Sequence, residues 1–278
     1  MKKKQEEAIT LAIQTVIQNL MERVMNRVLK GDPFLPEKHK AEKPLYAALV
    51  PDEIFKGSHF ERRFVTPFGR VWEKLAVALA QNLLGKGEIN YLVKGNVKAD
   101  RLRRIAEVLN NLEHGEGRDR IRPDWKAEID YVLQGKGEPI PAAVICDVFV
   151  EDLKKDKRYA FELKAPLPNS DQSKVSKEKI FKLLAMEPRM VDEAFYALPY
   201  NPYGKRENYA WSFPARWFDM KNDPVVLIGD EFWNKLGGRG AYQKFILEIN
   251  KLGREYRYRI YREYLGIEPP ESFDKDIL

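Results

Sequence analysis

The chain has 278 residues, 44% of them hydrophobic, with 48 Lys and Arg against 42 Asp and Glu for a formal charge of +6. Its apolar content excludes bulk disorder, and its length makes one large domain or two tightly joined ones. Cys146 is the sole cysteine, which excludes an intrachain disulfide or a cysteine-cluster metal site and fits a reducing cytoplasm. The charge excess is mild and permits a polyanion partner without demanding one.

Met1-Lys2-Lys3-Lys4 looks like a signal-peptide flank, but Thr10, Gln14, Thr15, Gln18 and Asn19 interrupt the apolar stretch after it. Neither a signal peptide nor a membrane span is expected. Residues 6–30 instead carry Ile9, Ile13, Val16, Leu20, Val24 and Val28 at helical spacing. Residues 32–66, with Pro33, Pro36, Pro44 and Pro51, read as a long ordered connection.

A second helix is expected after Pro67, with Phe68, Val71, Trp72, Leu75, Leu79 and Leu83 on one face and Glu73 on the polar one. A third spans 99–113 and ends at Gly115, with Arg101, Arg103 and Arg104 on or near its exposed side. The period then changes. Ala143–Val150 and Arg158–Lys164 are β-branched or aromatic runs around the polar turn 151–157, so they read as an antiparallel hairpin. A helix near 176–186, strands at 194–198 and 224–228 and a long helix over 241–265 complete the chain.

Two acidic residues and a lysine are what a magnesium-dependent phosphodiesterase needs: the carboxylates hold a hard cation and the lysine places or deprotonates water. The short pattern, an acid two residues before a lysine, occurs at Asp124-Trp-Lys126, Asp152-Leu-Lys154, Glu162-Leu-Lys164 and Asp219-Met-Lys221. Hairpin geometry separates these matches. A turn centred between Lys154 and Lys155 sets Asp147 opposite Glu162, and Lys164, two residues on, shares their face. The bland alternatives are a bulged hairpin in which Asp147 reaches solvent and a simple ion pair made by Lys164. Against them, two like charges facing each other on a sheet cost stability unless they do something.

This strand-turn-strand, preceded by a helix bearing Glu73, resembles the PD-(D/E)XK nuclease superfamily. Phe161–Asn169, Leu198–Gly204 and Ile228–Trp233 look more narrowly like the TdeIII/MthTI-type group of type II restriction endonucleases. The resemblance covers about Ala143 to Gly238, with Phe68 to Leu79 as an outlying match. It implies an α/β fold with a small mixed sheet flanked by helices, extra N- and C-terminal helices, and a single nuclease domain over 1–278. Within that domain, 1–66 would be the N-terminal helix and connection, 67–200 the catalytic core and 201–278 the C-terminal strand and helices. It also implies Asp147 and Glu162 as ligands of Mg²⁺, Lys164 as the water-orienting lysine and Glu73 as an auxiliary acid. Cys146 stands where the superfamily has proline, and Pro123-Asp124 occurs upstream, so Asp124 and Asp130 remain rivals for the first ligand.

Asn169, Gln172, Lys174, Lys177 and Lys179 follow the catalytic strand and suit base edges and phosphates, or else make a solvated helix start. Tyr200, Asn201 and Tyr203 lie among Pro199 and Pro202 and either read DNA or form a rigid corner. The arginines and tyrosines of 254–264 read as a helix packed on one side, and His39, His59 and His114 lack metal-ligand spacing. The resemblance implies Mg²⁺-dependent cleavage of duplex DNA at a short G/C-rich palindrome of the GGCC or GGNCC kind. Its products would be a 5′-phosphate and a 3′-hydroxyl, and a DNA methyltransferase would be expected in the same host. A homodimer is expected, with Ile17, Met21 and Met25 offering the contact. The alternatives are a structure-specific repair or recombination nuclease and a non-catalytic DNA-binding protein.

Overall fold

The computed structural model describes residues 3–114 and 121–276. They form two compact units, one of residues 76–114 and 121–242 and one of residues 3–75 with 243–276. No helix among the described residues is long and apolar enough to cross a membrane.

The terminal unit is helical. α1 (Lys3–Ile13) and α2 (Asn19–Asn26) form one run through the π-helical turns Gln14–Gln18 and Arg27–Gly31. Its apolar stripe is buried as the spacing predicts, and Ile17, Met21 and Met25 are buried with it at 5%, 7% and 0% exposure. The expected dimer surface is therefore core, because the wide apolar face is wholly used within the subunit.

Residues 32–66 are not a connection but α3 (Pro36–Glu42), α4 (Pro44–Leu49) and most of α5 (Asp52–Phe68). Pro36 and Pro44 open helices, where a missing N–H costs nothing, and Pro51 is the N-cap of the third. Three of the four prolines that read as loop are helix starts, and Pro33 stays in the short connection before α3. α6 (Val71–Leu83) follows, its residues from Ala76 onward belonging to the other unit, and α11 (Ala241–Arg259) continues through a π-helical turn, Ile260–Leu265. In that last run Tyr256 and Tyr264 are buried, Arg254 pairs with Asp276, and Arg259 pairs with Glu22 and Glu263. Packing, not base stacking, accounts for it.

The other unit is built on a six-stranded mixed sheet of order β4-β1-β2-β3-β5-β6. β1 (Gly85–Lys98), unmarked by the sequence pattern, pairs antiparallel along the full length of β2 (Pro139–Asp152). Ile89, Tyr91, Val93 and Val97 alternate along it, but its glycines mask the pattern. β3 (Lys157–Leu163) is antiparallel to β2, whereas β5 (Glu193–Leu198) and β6 (Val226–Ile228) continue parallel. The short β4 (Met186–Glu187) pairs with the far edge of β1.

α7 (Ala99–His114), α8 (Trp125–Leu133) and α9 (Ser170–Ala185) share one apolar core with the sheet, through Ile105, Leu109, Trp125, Ile180 and Phe181. α10 (Asp230–Gly237) sets Phe232 edge-on against Phe161. Gly115, expected to end α7, lies outside the described residues. Arg101 is buried, not exposed, and donates to the carbonyls of Gly135 and Ala185 while pairing with Glu187.

Candidate active site

The β2–β3 hairpin has the expected register, with Val148 opposite Phe161 and Phe149 opposite Ala160. One step further the backbone ladder gives way to a side chain. Oδ2 of Asp147 accepts the Leu163 N–H at 2.8 Å, standing in for a strand carbonyl. Lys164 donates its own N–H to the Ala197 carbonyl of β5, so its backbone is fixed from the other side. Its Nζ then donates to Oδ2 of Asp147 at 2.8 Å, to the Leu163 carbonyl at 3.0 Å and to Oε2 of Glu162 at 3.4 Å.

Glu162 is 1% exposed, while the side chains of Asp147 and Lys164 are 19% and 18% exposed. Burial, reinforced by the charge of Asp147, pushes the Glu162 carboxyl up to about 7. For Lys164, burial works against the charge, but Asp147 and Glu162 outweigh it and hold the ammonium above the usual lysine range. Two carboxylates thus share a partly dry corner in which added positive charge is favoured.

No third Asp, Glu, His or Cys completes a metal-binding cluster among the described residues. One or two carboxylates, with water and substrate oxygens filling the rest, is the donor set magnesium takes, and it lacks the nitrogen and sulfur ligands zinc prefers. The residues fit a hard divalent cation.

The rival ligands are elsewhere. Asp124 is the N-cap of α8 and accepts the Ala127 N–H, and Asp130 is exposed on that helix. Glu73 lies in the first turn of α6, in the terminal unit.

The proposed DNA readers separate. Asn169 caps α9 by accepting the Gln172 N–H, and Gln172 is exposed beside it. Lys174 pairs with Glu113 at 2.6 Å and lies over the Trp217 ring. Lys177, expected at the DNA, is instead fully buried, paired with Glu128 at 2.5 Å and enclosed by Trp125, Phe181 and Phe218. Burial holds its ammonium below the usual lysine range. A charge so enclosed cannot reach a duplex. Lys179 turns instead to Glu162, 3.1 and 3.0 Å from its two oxygens.

In the 198–204 loop, Oδ1 of Asn201 accepts the Tyr203 N–H, Tyr203 packs edge-on to Tyr209, and Tyr200 is exposed. Asn201 and Tyr203 make a corner, which leaves Tyr200 as the outward residue.

One supporting group has almost no signature in the sequence. Tyr209 Oη donates to the Pro166 carbonyl at 2.7 Å, and Trp211 Nε1 donates to the Pro168 carbonyl at 2.8 Å. They clamp the loop that leaves Lys164. Their only sequence signal is a pair of aromatics two residues apart, some forty residues downstream.

The model of the type II restriction endonuclease family HinfI matches residues 9–253. The chain belongs to this family. The type II restriction endonuclease expected from the motifs is thus borne out, and the family that matches is that of HinfI, where the short loops had suggested the TdeIII/MthTI-type group. Among curated relatives, the type II restriction enzyme HgiCII of Herpetosiphon aurantiacus is 25% identical over 241 residues, covering 85% of this chain and 82% of its own. HgiEI of the same organism is 24% identical over 227 residues, covering 80% and 82%. MjaII of Methanocaldococcus jannaschii is 28% identical over 174 residues, covering 58% and 45%. The chain is therefore a site-specific endonuclease of type II, and the expected α/β sheet flanked by helices is the one observed.

Proposed function

We propose that Asp147, Glu162 and Lys164 carry Mg²⁺-dependent hydrolysis of a phosphodiester in duplex DNA, leaving a 5′-phosphate and a 3′-hydroxyl. The observation that supports it is the position of Lys164 Nζ, within 2.8 Å of Asp147 and 3.4 Å of Glu162 at the open end of the hairpin. Asp147 and Glu162 would hold the cation. When bound, it supplies Lewis-acid stabilisation of the charge that builds on the scissile phosphate and a more acidic water. Lys164, kept cationic by its two neighbours, orients the attacking water and offers positive charge to the phosphate oxygens. Lys179 holds Glu162 in place from the opposite side.

The reading extends to a short G/C-rich palindrome of the GGCC or GGNCC kind, which rests on the loop resemblance alone. Asn169, Gln172, Lys174 and Tyr200 are the exposed or part-exposed candidates for contact with DNA. A homodimer across the two-fold axis of the site lets one chain cut both strands. A DNA methyltransferase in the same host belongs to the same proposal.

Plasmid cleavage in Mg²⁺ and in EDTA tests the reaction. Discrete fragments from linear duplex in Mg²⁺ alone are expected. Cutting confined to branched or damaged DNA, or binding without cutting, would move the chain to one of the alternative classes.

A further inference from the structure

At the Asn90–Asp147 rung, β1 and β2 both change face. Pairs on either side keep one register, Ile89 with Val148 and Tyr91 with Cys146, so Asn90 stands opposite Asp147. Strict alternation would then send Cys146 and Phe149 to opposite faces. They nevertheless share one core with Val144, and the ring of Tyr91, the partner of Cys146, stacks on Phe149 at 4.2 Å. β1 behaves in the same way. Val93 and Val97 face the core shared with α7 and α9, whereas a side chain at Gly87 would meet Val77 and Ala80 of α6, which stand outside that core. Asn90 lies at this change, exposed and with φ of 53°.

The break decides where Asp147 points. Under unbroken alternation it would follow Ile145 and Leu92, which are paired with each other and are 50% and 43% exposed on the open face. It meets Leu163 N–H, Lys164 and the face of Glu162 instead. We propose that Asn90 is a positioning residue: its left-handed backbone turns the ribbon over at the rung that must deliver the Asp147 carboxylate to Lys164. Asparagine tolerates this region better than other non-glycine residues, and a β-branched residue resists it most. The inference rests on the reading of Asp147 as a metal ligand.

The test is Mn²⁺ binding to the full-length protein by calorimetry without DNA, alongside plasmid cleavage and thermal melting. Asn90→Gly, which keeps the backbone freedom, is expected to bind within about twofold of wild type. Asn90→Val is expected to bind about tenfold more weakly and to cut correspondingly less, as forcing one residue out of a left-handed conformation implies. Lys94→Val, at another exposed β1 position, controls for a generic strand effect and should bind as wild type. If Asn90→Val does not fold, Asn90→Ala takes its place with a smaller loss in the same direction.

Wild-type Mn²⁺ affinity in Asn90→Val or Asn90→Ala would overturn the proposal, as would Asn90→Gly being equally impaired, since the side chain would then be what matters. Asp147→Asn separates the two levels. If it still binds Mn²⁺ as wild type, the metal-ligand reading itself fails. If it loses Mn²⁺ while the Asn90 variants keep it, only the positioning role fails.

Discussion

Lys179 reaches across from α9 to place its ammonium 3.1 and 3.0 Å from the two oxygens of Glu162. Glu162 therefore has a lysine on each side, one just past the end of its own strand and one from the helix that comes next. A lysine that grips both oxygens of a buried carboxylate fixes the rotamer of that carboxylate, and charge-assisted bonds of this kind are the strong ones.

Lys179→Met should therefore lower the cleavage rate at least tenfold while changing duplex affinity by less than about threefold, since a phosphate contact alone would do the reverse. Single-turnover cleavage and equilibrium binding in Ca²⁺ measure the two separately. Loss of affinity with an unchanged single-turnover rate would return Lys179 to the DNA-contact set.

Asp147→Asn and Lys164→Ala should each abolish cleavage yet leave the fold and duplex binding largely intact. Asparagine preserves the acceptor for the Leu163 N–H, whereas Asp147→Ala strands that donor and should cost a further ~1–3 kcal/mol of stability. Urea melts of the two Asp147 variants compare these costs. Normal turnover by Asp147→Asn would transfer the ligand role to another acid.

Glu162 gives the metal-free protein a pH signature. Its carboxyl is raised in the folded state to about 7 from an ordinary 4.5, so the stabilisation of its neutral form is fully present below pH 4.5 and is lost as pH rises through 7. The loss amounts to at most about 3 kcal/mol. Melting in EDTA should show wild type falling in stability between pH 5 and 8 relative to Glu162→Gln, which carries no such proton. Parallel profiles would show that the carboxyl titrates normally.

Lys177→Met should destabilise the fold without touching DNA affinity. The substitution leaves Glu128 charged and nearly buried, the kind of loss that costs about 3–5 kcal/mol. The salt dependence of duplex binding should be unchanged, because no phosphate contact is removed. A shallower salt slope with an unchanged melting temperature would place Lys177 on the DNA.

Mg²⁺ and Mn²⁺ should support cleavage and Ca²⁺ only binding, as befits an all-oxygen site. Cleavage assays in each ion after EDTA treatment check this, and activity persisting in EDTA would remove the metal from the mechanism.

Asp147, Glu162 and Lys164 were legible in the sequence as a group because the hairpin register that sets them beside one another is local. A short turn fixes the register of the two strands, so 147–164 contains its own pairing, with Asp147 opposite Glu162 and Lys164 two residues on. The helical stripes of 6–30 and 99–113 were legible for the same reason. Lys177 and Lys179 show where that reach ends. They stand two residues apart on one helix, and spacing says only that they point in different directions. One is enclosed by Trp125, Phe181 and Phe218 and the other closes on Glu162, because helices and strands far apart in the chain pack against each face of α9. The rung at Asn90 is a second case, since a strand pattern read along one chain assumes unbroken alternation and the partner strand decides where it breaks. Local periodicity determined which residues could act together in the hairpin, and only the packing of distant elements decided which charges face it and which are buried.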